Sequence, residues 1–207
     1  MFKFRNNSII VQGDSHGLSY IRKALDLIPD GADWFHVGDV GLGFQTYGMD
    51  WQALETINAL CFQRGISFFA VRGNHDSPGW WKNTKLSNLW LVPDYTGFEF
   101  PNGETLLAVG GAYSIDRCHR NLNVDYWEDE VTPPLIGGAP QKYDYVLAHD
   151  CPSFVNKPSE SLKYFGNLPH NHKIRFGTDL IEEAESQRQV MNSIFYSAQP
   201  KAYIYGH

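Results

Sequence analysis

The sequence predicts an α/β fold, and three observations carry the prediction. Short apolar runs alternate with helical patterns through the first half of the chain. A Pro101-Asn102-Gly103 turn later joins two further apolar runs. Each apolar run ends on a small polar cluster, often behind a glycine. Strand–helix–strand alternation with short connections implies parallel strands and right-handed crossovers. The hairpin implies that the sheet turns antiparallel further along.

The elements follow in order. "SIIVQ" (8–12) is a buried strand, and "GLSYIRKALDLI" (17–28) a helix stopped by Pro29. "ADWFHVGD" (32–39) is the second strand. "DWQALETINALCFQRG" (50–65) is a helix with Trp51, Leu54, Ile57 and Leu60 on one face and Gly65 as its stop. "ISFFAVRG" (66–73) is the third strand, and "FEFPNGETLLAVGG" (98–111) two strands and their turn. Residues 112–140 are loop-rich, polar and aromatic. "KYDYVLAHD" (142–150) is a strand, 151–178 an irregular insert, and 178–198 the strongest helix, with Leu180, Ala184, Met191, Ile194, Phe195 and Ala198 on one face. Pro200 stops it, and "KAYIY" (201–205) is the last strand.

Composition bounds the rest. The 207 residues suit a single domain, 1–207, and 43% hydrophobic with 14% aromatic residues mark a globular chain. A net charge of -6 argues against broad nucleic-acid binding, although a local basic pocket stays open. Cys61, Cys118 and Cys151 show no CxxC spacing, so neither a disulfide framework nor a zinc-thiolate site is indicated. The first eight residues lack the apolar stretch of a signal peptide, and no run is long enough to span a membrane. A cytoplasmic location is the expectation.

The chemistry gathers at the strand ends. Asp14 and His16 follow the first strand, Asp39 the second, and Asn74, His75 and Asp76 the third; His149 and His207 follow the last two. In open α/β sheets the ligand crevice lies beyond the carboxyl ends of the strands, so these residues should converge. Carboxylates, an amide oxygen and several imidazoles suit Mn²⁺, Fe, Zn²⁺ or Ni²⁺ and are too nitrogen-rich for a Ca²⁺ cage. Gly13, Gly38 and Gly73 each precede one of these residues, where backbone must pass close to the site.

"GDSHG", "GDVG", "GNHD", "AHDCP" and the closing "YGH", in that order, resemble the motifs of the calcineurin-like metallophosphoesterases across nearly the whole chain. The resemblance implies a sandwich of two β-sheets flanked by helices. It implies two divalent transition-metal ions, Mn²⁺ first among them. Asp14 and His16 would hold the first ion, Asn74, His149 and His207 the second, and Asp39 would bridge them. His75 would be the acid at the leaving-group oxygen. The implied reaction is in-line attack on phosphorus by metal-bound hydroxide, with a phosphodiester, a nucleotide or a small phosphomonoester as substrate.

The chain departs from the pattern twice. Many members end the last motif as GHxH, where this sequence stops after His207. The expected first-ion site is therefore short of one imidazole within this sequence, and members of the family usually continue past this motif with one or two further strands. Protein phosphatases of the superfamily hold that ion without a second histidine there. A weakly active or inactive metal-binding scaffold on the same fold is the alternative. The protein-phosphatase branch also carries GDxVDRG; here Leu42 and Gly43 stand at the Asp and Arg places, which argues against that branch.

Plainer readings accompany the sharp ones. His36 is structural. His119, His170 and His172 are solvated loop residues. Arg72 serves either an ion pair or phosphate. Arg117, after "GGAYSID", is the candidate phosphate contact that replaces the missing arginine, with Asn74 beside it. Lys157, Lys163, Lys173 and Arg175 form a solvated basic run. Trp80, Trp81, Tyr113, Tyr126 and Trp127 pack in the core or a lid. Cys151 is an inert neighbour of the site.

Overall fold

A computed structural model describes residues 1–135 and 142–207, with Asn83 and Lys163 described by backbone alone. The end of the expected loop, 136–141, lies outside the described residues.

The chain runs β1 (Phe2–Lys3), β2 (Ile10–Gln12), α1 (Leu18–Ala24), β3 (Asp33–Val37), α2 (Tyr47–Gln63), β4 (Ser67–Val71), α3 (Gly79–Asn83) and β5 (Leu89–Leu91). The hairpin strands β6 (Thr96–Glu99) and β7 (Thr105–Val109) follow, then β8 (Tyr145–Ala148), α4 (Pro158–Ser161), α5 (Leu168–Phe176), α6 (Leu180–Ala198) and β9 (Ala202–Tyr205). One sheet has the order β2-β3-β4-β5 and is parallel throughout. The other has the order β1-β6-β7-β8-β9, with β6 and β7 antiparallel and its remaining pairs parallel.

The sheets stack face to face between helices. Strand periodicity sorts the side chains. Phe35 and Val37 of β3 and Phe69 and Val71 of β4 point between the sheets, against Phe98, Leu106, Ala108 and Leu147. Their neighbours Trp34, Phe68 and Ala70 face the other way, onto Ile21, Leu25, Leu54, Ile57 and Cys61 of the first helical layer. On the far side, Leu107, Val109, Val146 and Ala148 pack on Met191, Ile194 and Ala198 of α6. Strands covered on both faces need unbroken apolar runs, and β3 and β4 are buried at every position.

Several local expectations shift. α1 gives way to a 3-10 turn at Leu25–Leu27, ahead of Pro29. α2 starts earlier than the apolar stripe suggests, because the Thr46 side chain accepts the Met49 N–H and caps it. The insert contains α4 and α5, the latter closed by Gly177 in the left-handed region. His172 is therefore a correction. It is no solvated loop residue but is buried on α5, facing Tyr113 and Glu183. No helix among the described residues is long and apolar enough to cross a membrane.

Candidate metal centre

The parallel strands end together, and the site lies there. Beyond β8, His149 donates its backbone N–H to Val109 O, while its own carbonyl accepts from Gly206 N and His207 N. Its Nδ1 lies 2.8 Å from Val37 O, across the gap between the sheets. His149 thus ties the end of β8 to the ends of β3 and β9.

Two triads of metal-ligand type share one carboxylate. The donor atoms of His16, Asp39 and His75 lie within 4.8 Å of one another, and so do those of Asp39, His149 and His207. Asp39 Oδ2 is 3.7 Å from His16 Nε2, and Asp39 Oδ1 is 3.4 Å from His149 Nε2. Asn74 joins the second group, its Oδ1 3.0 Å from His149 Nε2. Asp14 borders it, with Oδ1 3.9 Å from His149 Nδ1. The expected residues therefore meet, with His75 in the group where Asp14 was expected.

Hydrogen bonds decide which atoms face inward. A carbonyl cannot donate, so His149 Nδ1 carries the proton toward Val37 O and Nε2 presents a lone pair. Asn74 donates Nδ2 to Ser114 Oγ at 2.9 Å, which turns Oδ1 inward. Ser114 is held in turn by the buried Glu130, which accepts from its N–H and its hydroxyl, both at 2.9 Å. Three acceptors, His149 Nε2, Asn74 Oδ1 and Asp39 Oδ1, thus converge. Asp39 Oδ1 already accepts the His75 N–H at 2.9 Å. His149 Nε2 and Asn74 Oδ1 face each other with no donor between them, a buried arrangement that is costly and that a cation relieves.

Electrostatics agree with a site suited to positive charge. Burial first, then Asp39, pushes the Asp14 carboxyl up to about 6. Burial also raises Asp39 above the usual carboxylate range. Burial holds the imidazole of His207 down at about 4 and lowers that of His149, so both are in the neutral form that binds metals.

Backbone geometry is unusual at the same residues. Asp14, His16 and Asp39 adopt φ of 51°, 49° and 56°, in the left-handed region where side chains are disfavoured. The adjoining glycines allow the crowding. A Cβ on Gly38 would come within 2.3 Å of His149 Nδ1, and one on Gly73 within 2.0 Å of Asp39 Oδ1.

Asp76 has a role its neighbour does not share. Fully buried, it accepts the N–H groups of Val40, Gly41, Leu42 and Gly73 at 2.7–3.1 Å. It ties the loop after β3 to the loop after β4 and does not orient the His75 ring. That ring lies against Arg120, whose Nη1 and Nη2 are 3.0 and 2.8 Å from its two nitrogens. Arg120 also pairs with Asp116 at 2.8 Å. Burial, then Arg120, lowers the His75 imidazole to about 3.

The two arginines after "GGAYSID" thus part company. The 3-10 turn Arg117–His119 sends Arg120 to the site and Arg117 away from it. Arg117 pairs with Glu183 at 2.6 Å and stacks on Tyr113 and Phe176. Ser114 stands in the sequence only as part of "GGAYS", and Glu130 only as the end of the acidic cluster 128–130; nothing else in the sequence points to their roles.

The remaining readings resolve simply. Arg72 pairs with Asp94 and donates to the carbonyls of 129–131. His36 is buried, bonds Ser15 Oγ at 2.8 Å and faces Phe68. Lys157 pairs with Glu160 on the surface, and Arg175 donates to Cys118 O. Trp80, Tyr113, Tyr126 and Trp127 are buried. Cys151 is buried, and burial pushes its thiol up, which keeps it inert.

The sequence model of the family described as calcineurin-like phosphoesterase matches residues 8–207. No curated protein matches the chain.

Proposed function

Since the chain belongs to the calcineurin-like phosphoesterase family and is thereby a metal-dependent phosphoric ester hydrolase, we propose that it works with two divalent ions on a phosphodiester, a nucleotide or a small phosphomonoester. One observation carries the two-ion reading: both triads use Asp39, one through each carboxylate oxygen. Asp14 and His16 hold one ion in this reading, Asn74, His149 and His207 the other. Mn²⁺ is our choice for the mixed oxygen and imidazole donors. Bound ions of this kind activate water and neutralise charge on the phosphoryl oxygens.

The protein's own groups supply the rest. His75 stands at the edge of the cluster, where it can hand a proton to the leaving oxygen. Arg120 holds that ring in place and is the cation nearest to it, so we move the phosphate contact from Arg117 to Arg120. A phosphoryl group that draws Arg120 onto its oxygens also removes one of the charges that hold the His75 ring neutral, and its own negative charge favours the protonated ring against the cost of burial.

Turnover of bis-p-nitrophenyl phosphate and p-nitrophenyl phosphate, with Mn²⁺ and with chelator, tests the reading. Mn²⁺-dependent release of p-nitrophenol is expected. A chain that binds Mn²⁺ and cleaves neither ester is instead a metal-binding scaffold.

The path from Glu130 through Ser114 to Asn74 gives a narrower expectation. In Glu130→Gln the new amide donates to Ser114 Oγ, which already accepts from Asn74, and the hydroxyl loses its acceptor. The ion at Asn74 should bind about 10-fold more weakly, the usual scale for a lost orienting contact. Competition titration against a metal-sensitive dye would resolve the two ions; equal weakening of both would remove Glu130 from this role.

A further inference from the structure

The loop from Tyr113 to Arg120 meets the metal centre at two points. Ser114 bonds Asn74, and Glu130 fixes Ser114 there. Arg120 bonds the His75 ring. A second carboxylate stands behind this other end of the loop. It is Glu183 of α6, which bonds no residue of either triad among the described residues.

Three groups meet on one oxygen of Glu183. Oε2 accepts the Tyr113 hydroxyl and accepts Arg117 Nη2 at 2.6 Å, and His172 Nε2 of α5 lies 3.2 Å away. Charge-assisted bonds of this kind are about twice as strong as neutral ones. The Arg117 guanidinium is also stacked, 4.4 Å from the centre of the Tyr113 ring and 4.9 Å from that of Phe176 at the end of α5. Arg175, beside Phe176, donates to Cys118 O at 2.8 Å. The two helices thus grip the turn Arg117–His119 by its side chain and by its backbone.

Short steps carry that grip to the centre. Arg120 donates its backbone N–H to Arg117 O at 3.1 Å, so fixing Arg117 fixes where the Arg120 side chain begins. Asp116, which pairs with the Arg120 guanidinium at 2.8 Å, is part of the same turn, and its carbonyl accepts the His119 N–H at 2.8 Å. Asp125 O is a further partner of that guanidinium, at 3.2 Å. We propose that Glu183 is a positioning residue: through Arg117 it sets the turn that holds Arg120 against His75. This rests on the hydrolytic reading above and on the place given there to Arg120. It divides the labour between two carboxylates. Glu130 serves the metal side of the loop, and Glu183 serves the His75 side.

Glu183→Gln removes the charge that holds Arg117. With Mn²⁺ and the faster of the two p-nitrophenyl esters, kcat/KM should fall about 10- to 100-fold, the scale of a ~1 Å misplacement near the reacting atoms. Mn²⁺ affinity should stay at the parent's value, because Glu130 still holds Ser114 on Asn74. Arg120→Ala should lose at least as much activity, and adding Glu183→Gln to it should then cost nothing more, since a residue that acts through Arg120 has no further effect once Arg120 is gone. Arg117→Lys keeps the charge opposite Glu183 but loses the fork and the stacking; it should behave like Glu183→Gln and decides the matter if that variant does not fold. Parental kcat/KM in these variants, losses that multiply in the double variant, or a matching loss of Mn²⁺ affinity overturn the positioning role and leave the hydrolytic reading standing. A Mn²⁺-loaded parent chain that cleaves neither ester overturns both.

Discussion

Asp39→Asn should leave the protein folded, without both ions, and with metal-dependent turnover reduced about a thousandfold or more. The expectation follows from Asp39 facing His16 through one oxygen and His149 through the other. Its carboxylate is the one group common to both triads. Losing the ions removes several kcal/mol of charge stabilisation at phosphorus, and ~4 kcal/mol is about a thousandfold in rate. The fold should not suffer, because the carboxylate is buried and raised above its ordinary range. Asparagine keeps the shape and the acceptor for the His75 N–H while removing a charge that burial disfavours. Asp14→Asn should cost one ion. Metal content per chain, with melting temperature measured with and without Mn²⁺, checks both variants. Asp39→Asn should melt no lower than the parent without metal and gain nothing when metal is added. Loss of the same single ion in both variants would rule out the shared carboxylate.

His75→Ala should lower turnover by about 10²–10⁴, the range for a lost general acid. The loss should be smallest for p-nitrophenyl esters, whose leaving group scarcely needs a proton, and largest for alkyl esters. Metal content separates this role from its competitor. His75 lies within reach of His16 and Asp39, so the same ring is placed to bind an ion. Full metal content with a leaving-group-dependent loss marks an acid. Reduced metal content with a uniform loss marks a ligand, and the acid role would then fall.

The fold was legible wherever burial is written into composition. β3 and β4, covered on both faces, required continuous apolar runs, and those runs are plain in "ADWFHV" and "ISFFAV". The hairpin was legible because a Pro-Asn-Gly turn has few alternatives. Short edge elements were not. β1 is two residues long and exposed, and it exists through pairing with β6, nearly one hundred positions away. α5 was hidden because its mean polarity resembles that of a loop, and its buried His172 breaks no apolar pattern. At the metal centre the strand-end residues were legible because parallel strands bring their ends together. Their supports were not. Whether Arg117 or Arg120 turns inward depends on one 3-10 turn. Glu130 reaches Asn74 only through Ser114, a three-residue path that no spacing rule records.

The left-handed backbone at Asp14, His16 and Asp39 sets stability and chemistry against each other. Each position costs about 1 kcal/mol relative to a glycine that adopts the same angles freely. A laboratory selection that rewards thermal survival alone would draw these three sites toward glycine and discard the catalytic apparatus as it improved the scaffold. Lineages kept under pressure for turnover must carry the strain, and they can offset it only elsewhere, in the aromatic packing between the sheets or in the helical layers outside them. Stabilised variants of this protein are therefore better sought in those layers, with positions 14, 16 and 39 held fixed.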